Sequence, residues 1–143
     1  MPIEIERKFL LASDAWRSAV TQSTRMRQGY VLATDERTVR VRVAGETAHI
    51  TLKGMRNGIG RSEFEYSIPL DQANSMLDTL CTHPLIEKTR HLVPHAEHIW
   101  EIDVFSGENS GLIVAELELT HADAPFVRPL WLGREVSHDR LGV

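Results

Sequence analysis

The chain has a single cysteine, Cys81, so no intrachain disulfide can form. It has no apolar run long enough to span a bilayer and no signal-peptide pattern, which leaves a cytoplasmic protein without a membrane partner as the expectation. Positive charge is not in excess. The 16 Lys and Arg residues stand against 20 Asp and Glu, a formal net charge of -4 that argues against a nucleic-acid or anionic-membrane binder. No Ser-His-Asp arrangement and no reactive-cysteine context stands out, so no protein nucleophile is expected. Internal repeats, linkers and low-complexity stretches are absent too. With 42% hydrophobic and 25% charged residues, the 143 residues are expected to form one domain, 1-143, around a real core.

What the chain does have is alternation. β-branched runs of period two recur at about residues 3-11, 27-33, 36-44, 47-54, 61-69, 86-93, 98-106 and 112-120, bounded by turn signals such as "ATDE", "VAGET" and "FSGENSG". These predict about eight strands, mostly in antiparallel hairpins. Between the fifth and sixth, "LDQANSMLDTLC" predicts a helix that Asp71 caps, with Ala73, Met76, Leu77, Leu80 and Cys81 on its apolar face. Met76 and Cys81 are read there as core packing. A shorter helix is expected from Ser13 or Asp14, carrying Trp16, Ala19 and Val20, and "ADAPFVRPLWLG" reads as an irregular, Pro-broken segment. His91, His95 and His98 bracket an expected hairpin turn next to Pro94 and are not read as a zinc site.

The polar phase of the strands is unusual. "MPIEIERKFLL" sets Glu4, Glu6 and Lys8 on one face and Ile3, Ile5 and Phe9 on the other. The pattern returns as Arg40 with Arg42, Arg61 with Glu63 and Glu65, Lys88 with Arg90, Glu101 with Asp103 and Glu116 with Glu118, while Lys53 ends another strand. A solvated sheet face could carry such charges, but like charges repeated within strands repel unless counterions compensate. Eight strands can close into a barrel, with the charged faces lining a tunnel and the apolar faces packing outward under helices or a second subunit. Clustered carboxylates suit hard divalent cations, and clustered Arg and Lys suit phosphate oxygens, so the two together point to metal-bridged phosphates. Seven cationic and eight acidic residues leave a net of -1 inside, which two divalent cations would turn to +3 and so make attractive to polyphosphate.

These motifs resemble the CYTH domains, the triphosphate tunnel metalloenzymes. "EIERK" is similar to their Glu-x-Glu-x-Lys signature. In order, "RQGY", "VRVR", "TLKG", "RSEFEY", "EKTR", "WEIDVF" and "AELEL" agree with it over about residues 3-120, and "WLGREVS" resembles a following segment of the short bacterial inorganic triphosphatases. The resemblance implies an eight-stranded antiparallel tunnel, usually in a homodimer, that hydrolyses a terminal phosphoanhydride bond with Mg2+ or Mn2+. By motif it assigns Glu4, Glu6, Glu116 and Glu118 to metal binding, with Glu4 and Glu6 counted among the catalytic groups. It assigns Lys8, Arg40, Arg42, Lys53, Lys88 and Arg90 to phosphate binding, where Arg61 joins them, and Glu63, Glu65 and Asp103 to ordering the site or a second metal. The chain departs from the family at "SHDRLGV", where the short bacterial members run through Asp, Arg, Tyr and Asn into a final helix.

Water is the expected attacker, activated by a metal or by a lysine of lowered pKa, and Lys88 beside Arg90 is the candidate. Two further readings stay open. One is cyclisation of ATP to cyclic AMP, as some family members do; the other is a polyphosphate or nucleotide binding module without turnover. A β-sandwich with a wet charged face is the reading outside the family.

Overall fold

Alternation of charged and apolar side chains lets each strand bury its apolar face while its charged face is gathered inside. The computed structural model describes residues 3-55, 60-121 and 123-137, without the side chains of residues 3 and 4. Its strands are β1 (Ile3–Leu11), β2 (Gln22–Ala33), β3 (Thr38–Ala44), β4 (Thr47–Lys53), β5 (Gly60–Ser67), β6 (Ile86–His95), β7 (His98–Ser106), β8 (Ile113–Leu119) and β9 (Leu132–Glu135). Eight of them close an antiparallel barrel in the order β1-β5-β4-β3-β2-β6-β7-β8, with β8 returning to β1. This is the predicted barrel.

Two strands differ from expectation. β2 begins at Gln22, five residues early, because its first residues extend the β6 pairing even though most of them are exposed. β9 lies within "WLGREVS" and pairs with β1 at Phe9 and Leu11, on the edge that β5 covers only from Ile3 to Ile5. Lys8 sits between these two partners. Its N–H donates to Ser137 Oγ at 3.0 Å and its carbonyl accepts from Val136 N at 2.7 Å.

The outside of the barrel carries two cores. Over β1, β6, β7 and β8, Phe9, Trp100, Ile102 and Leu117 are buried under Trp131, Leu132 and Phe126 of the chain beyond β8. Trp100 meets Phe9 and Trp131 edge-to-face, at 5.6 and 5.7 Å between centroids. Over β3 and β4, the helix α1 (Leu70–Thr79) buries Ala73 and Leu77 against Val41 and Ala48, with Cys81 and Met76 beside them. Leu77→Ala would leave a cavity there costing about 2–5 kcal/mol. Gly29 on β2 admits the chain that follows α1, since a Cβ would stand 2.7 Å from Leu85 Cδ2 and 2.9 Å from Cys81 Cβ.

The helices are shorter than the sequence suggests. Pro69, not Asp71, occupies the position before α1, and Asp71 lies in its first turn. The helix ends before Leu80, which is 60% exposed rather than packed. The expected early helix is a 3-10 turn, Ala15–Ala19, that buries Trp16 and leaves Ala19 outside. Among the described residues no helix is long and apolar enough to cross a membrane.

Candidate active site

Barrel closure turns the charged faces toward one another around a cavity of about 370 Å³. All seven predicted cations line it: Lys8, Arg40, Arg42, Lys53, Arg61, Lys88 and Arg90. Six of the eight predicted acids line it with them, namely Glu6, Glu63, Glu65, Glu101, Glu116 and Glu118. Asp103 lies behind this surface, fully buried. The backbone of Glu4 pairs with that of Arg61, and its side chain lies outside the described residues. On the same strand faces, Ile86, Phe105 and Val114 form a small apolar cluster, with the Phe105 ring centre 5.4 Å from Lys88 Nζ.

The wall built by β6 and β7 compensates its own charge. Arg90 grips Asp103 with two parallel bonds, Nε to Oδ1 at 2.8 Å and Nη2 to Oδ2 at 2.9 Å, and Lys88 Nζ donates to Oδ2 at 2.7 Å. Such a bidentate, charge-assisted pair fixes the guanidinium plane. Burial opposes the charge of Asp103, yet the hydrogen bonds from Arg90 and the charge of Lys88 outweigh it and hold the carboxyl down at about 2. Burial dominates at Lys88, which is brought down to about 8 although Asp103 pulls the other way. The expected direction is right, but burial rather than Arg90 is its main cause.

The β3 wall is organised differently. Arg42 Nε donates to Gln28 Oε1 at 2.7 Å, and Arg40 Nη2 donates to Thr51 Oγ1 at 3.3 Å. Thr51 in turn donates to Glu65 Oε1 at 2.8 Å. Arg40 Nε is buried with no hydrogen-bond partner among the described residues. Burial, with Arg40 and Arg90 nearby, lowers Arg42 to about 10. A buried donor without an acceptor is costly, and a phosphate oxygen would satisfy it.

The acidic side lies across β1, β7 and β8. Register sets Glu6 opposite Glu118, Lys8 opposite Glu116, and Glu101 opposite Glu116. Lys8 Nζ stands 3.6 Å from Glu6 and 3.8 Å from Glu116, long distances for one ammonium shared by two carboxylates. Burial opposes its charge, but Glu116 and Glu6 prevail and raise it. Glu116 is itself raised, by burial first and then by Glu6, and burial raises Glu101. Among the described residues no three His, Cys, Asp or Glu side chains already converge as a metal-binding group.

Comparison with known proteins decides the family: the CYTH domain matches residues 2–142. The chain belongs to the CYTH family. A CYTH relative, the inorganic triphosphatase of Acetivibrio thermocellus, is 44% identical over 136 residues, covering 95% of this chain and 86% of that one. The inorganic triphosphatase of Nitrosomonas europaea is 36% identical over 142 residues, covering 96% and 91%. A crystal structure of an inorganic triphosphatase matches this CYTH barrel with a TM-score of 0.65 at 34% identity, over 96% of this chain and 91% of that one.

Four polar groups of the CYTH barrel escape a search for charge alone. Gln28, Tyr30 and Thr38 line the cavity and Thr51 is buried against it. Each is in phase with a charged or polar neighbour on its own strand, so the period-two rule extended to uncharged side chains finds them.

Proposed function

We propose that this protein hydrolyses the terminal phosphoanhydride bond of inorganic triphosphate, with Mg2+ or Mn2+ as its cofactor. One observation carries the reading. Seven cations and six carboxylates share one cavity, and one of the arginines keeps a buried donor without a partner among the described residues. The triphosphatase relatives, similar over nearly the whole chain, support it. Tyr30 is the one aromatic among the lining residues, which favours an inorganic polyphosphate over a nucleotide whose base needs an apolar platform.

The donor set fits a hard cation. Glu101 and Glu116 are held above their ordinary range by burial, and Glu116 also by Glu6, a strain that a divalent cation relieves. Glu6, Glu116 and Glu118, with Glu4 from the same β1 motif, would hold it, and when bound it supplies neutralisation of the phosphate charge. Arg40 and Arg42 hold phosphate oxygens, and Asp103 positions Arg90 and Lys88 rather than binding metal, since both its oxygens are taken. Water attacks the terminal phosphorus; the new P–O bond forms as the bridging P–O bond breaks. Orthophosphate and pyrophosphate result. Lys88 Nζ, neutral above about pH 8, accepts the proton that the water loses. The same reading makes the protein a cytoplasmic homodimer, and an exposed row of Leu32, Leu52 and Phe64 on the barrel exterior supports a subunit contact.

The test is phosphate release from inorganic triphosphate, ATP, thiamine triphosphate and pyrophosphate, each with Mg2+, Mn2+, Ca2+ or no metal. Fast release from inorganic triphosphate with Mg2+ or Mn2+ is expected. Cyclic AMP formed from ATP would replace the reading with a cyclase. Tight triphosphate binding without release would replace it with a binding module.

A further inference from the structure

The register of the barrel pairs its inward charges with a rule and an exception. Lys8 faces Glu116, Lys53 faces Glu63 and Arg90 faces Asp103 across neighbouring strands, while Lys88, opposite Met26 and Phe105, reaches Asp103 diagonally at 2.7 Å. The two β3 arginines have no carboxylate directly opposite in the register, although Arg40 Nη2 reaches Glu65 Oε1 diagonally at 3.9 Å. Arg40 is flanked by Tyr30 and Thr51, and Arg42 by Gln28 and His49. Gln28 is 1% exposed, and its amide oxygen holds Arg42 by Nε alone, leaving the far end of the guanidinium to the cavity. A glutamate in the same place would differ by one atom and make the stronger, charge-assisted bond that Asp103 makes to Arg90. In a cavity with six carboxylates on its walls, the amide marks a place where a charge would interfere.

We infer that Gln28 is a positioning residue that holds Arg42 without neutralising it, so that the guanidinium charge stays available to a polyphosphate. Arg40 differs: Thr51 accepts from its Nη2, but Glu65 Oε1 stands 3.9 Å from that nitrogen, and Nε alone is left unpartnered among the described residues. The inference rests on the triphosphatase reading and names the groups that tune substrate capture in that site. An Arg–Glu pair would turn its attraction inward, and the substrate would have to break it before binding.

Gln28→Glu and Gln28→Met in the full chain test this, with inorganic triphosphate and Mg2+ for kinetics and calorimetry of inorganic triphosphate without metal for binding. Gln28→Glu is expected to raise KM by about tenfold or more, with kcat changed by less than about threefold, and to weaken metal-free binding in parallel. Its melting temperature should hold or rise, as a new ion pair among crowded cations would make it. Gln28→Met keeps the charge but loses the hold, so KM should rise by less. A merely structural role predicts a lower melting temperature with KM unmoved. Parental KM and binding in Gln28→Glu, or parental kinetics in Gln28→Met, would overturn the inference. Should Gln28→Glu fail to fold, a double-mutant cycle of Gln28→Met with Arg42→Ala decides: strong coupling in KM supports the inference, and independent effects overturn it. A parent protein that binds inorganic triphosphate but releases no phosphate would refute the triphosphatase reading alone, because the binding arm still reports on Gln28.

Discussion

On β6, Arg90 and Lys88 converge on a carboxylate that engages both; on β3, with only β2 between, Arg40 and Arg42 are held by a hydroxyl and an amide oxygen. The same residue types therefore do different work. Around Asp103 the charges satisfy one another and tie β6 to β7, whereas on β3 Arg42 is oriented by an amide and Arg40 has a carboxylate, Glu65, only at 3.9 Å. A buried ion-pair cluster is hard to break and contributes little attraction outward, while uncompensated cations cost the free protein something and attract an anion. Under the proposed function, this difference separates framework cations from recognition cations.

The largest effect should come from breaking the framework. Asp103→Ala leaves Lys88 and Arg90 buried without their carboxylate and should cost about 3–5 kcal/mol in urea unfolding. Because Asp103 is depressed to about 2 from its ordinary 3.8, its contribution is complete above about pH 4 and lost as the pH falls toward 2. The acid-unfolding curve of the variant should lack that step. Arg40→Ala or Arg42→Ala, by contrast, should cost about 2–4 kcal/mol in kcat/KM with the rise mainly in KM. Its melting temperature should hold or rise, the reverse of Asp103→Ala. Steady-state kinetics beside thermal melts would check both.

Lys88→Arg keeps the charge but removes an amine brought down to about 8, and should lower kcat about a hundredfold, or about 2.7 kcal/mol, with KM moved less. Turnover retained in that variant would make Lys88 a plain phosphate ligand and move it to the recognition side of the comparison. The smallest effect on metal-free stability is expected at Glu116→Gln. Burial and Glu6 raise the pKa of Glu116, so its folded form favours the neutral state, and its charge lowers metal-free stability as the pH rises above the ordinary 4.5. The variant should melt about 4 °C higher without metal, equivalent to about 1 kcal/mol, and lose most of the protection that Mg2+ or Mn2+ gives the parent.

Much of this was legible in the sequence because a barrel interior repeats every second residue. Glu6, Lys8, Arg40, Arg42, Arg90 and Glu116 could be placed on one surface without knowing which strands were neighbours. Partnership could not be read that way. That Arg90 meets Asp103 follows from the β6–β7 register, and that Arg42 meets Gln28 from a β2–β3 hairpin register that shifts between Tyr30 and Leu32. Gln28 and Thr51 were passed over because uncharged residues on a strand's polar phase look like ordinary wet positions. The start of β2 at Gln22 was missed because "QSTR" lacks an apolar phase, and β9 because four residues beside Pro129 carry too little alternation.

The pairing of β1 also governs how the chain is made. As synthesis proceeds at about 5–20 residues per second, the partner for Phe9, at Ala115, leaves the ribosome roughly 5–20 s after it. Both edges of β1 lack a partner until β5 is made, and the edge that meets β8 lacks one until then, the kind of edge that recruits neighbouring chains. Glu4, Glu6, Arg7 and Lys8 place charge on both its faces. Charge of this kind, which in the folded barrel lines the cavity at Glu6 and Lys8, is what blunts an open strand edge while it waits for its partners.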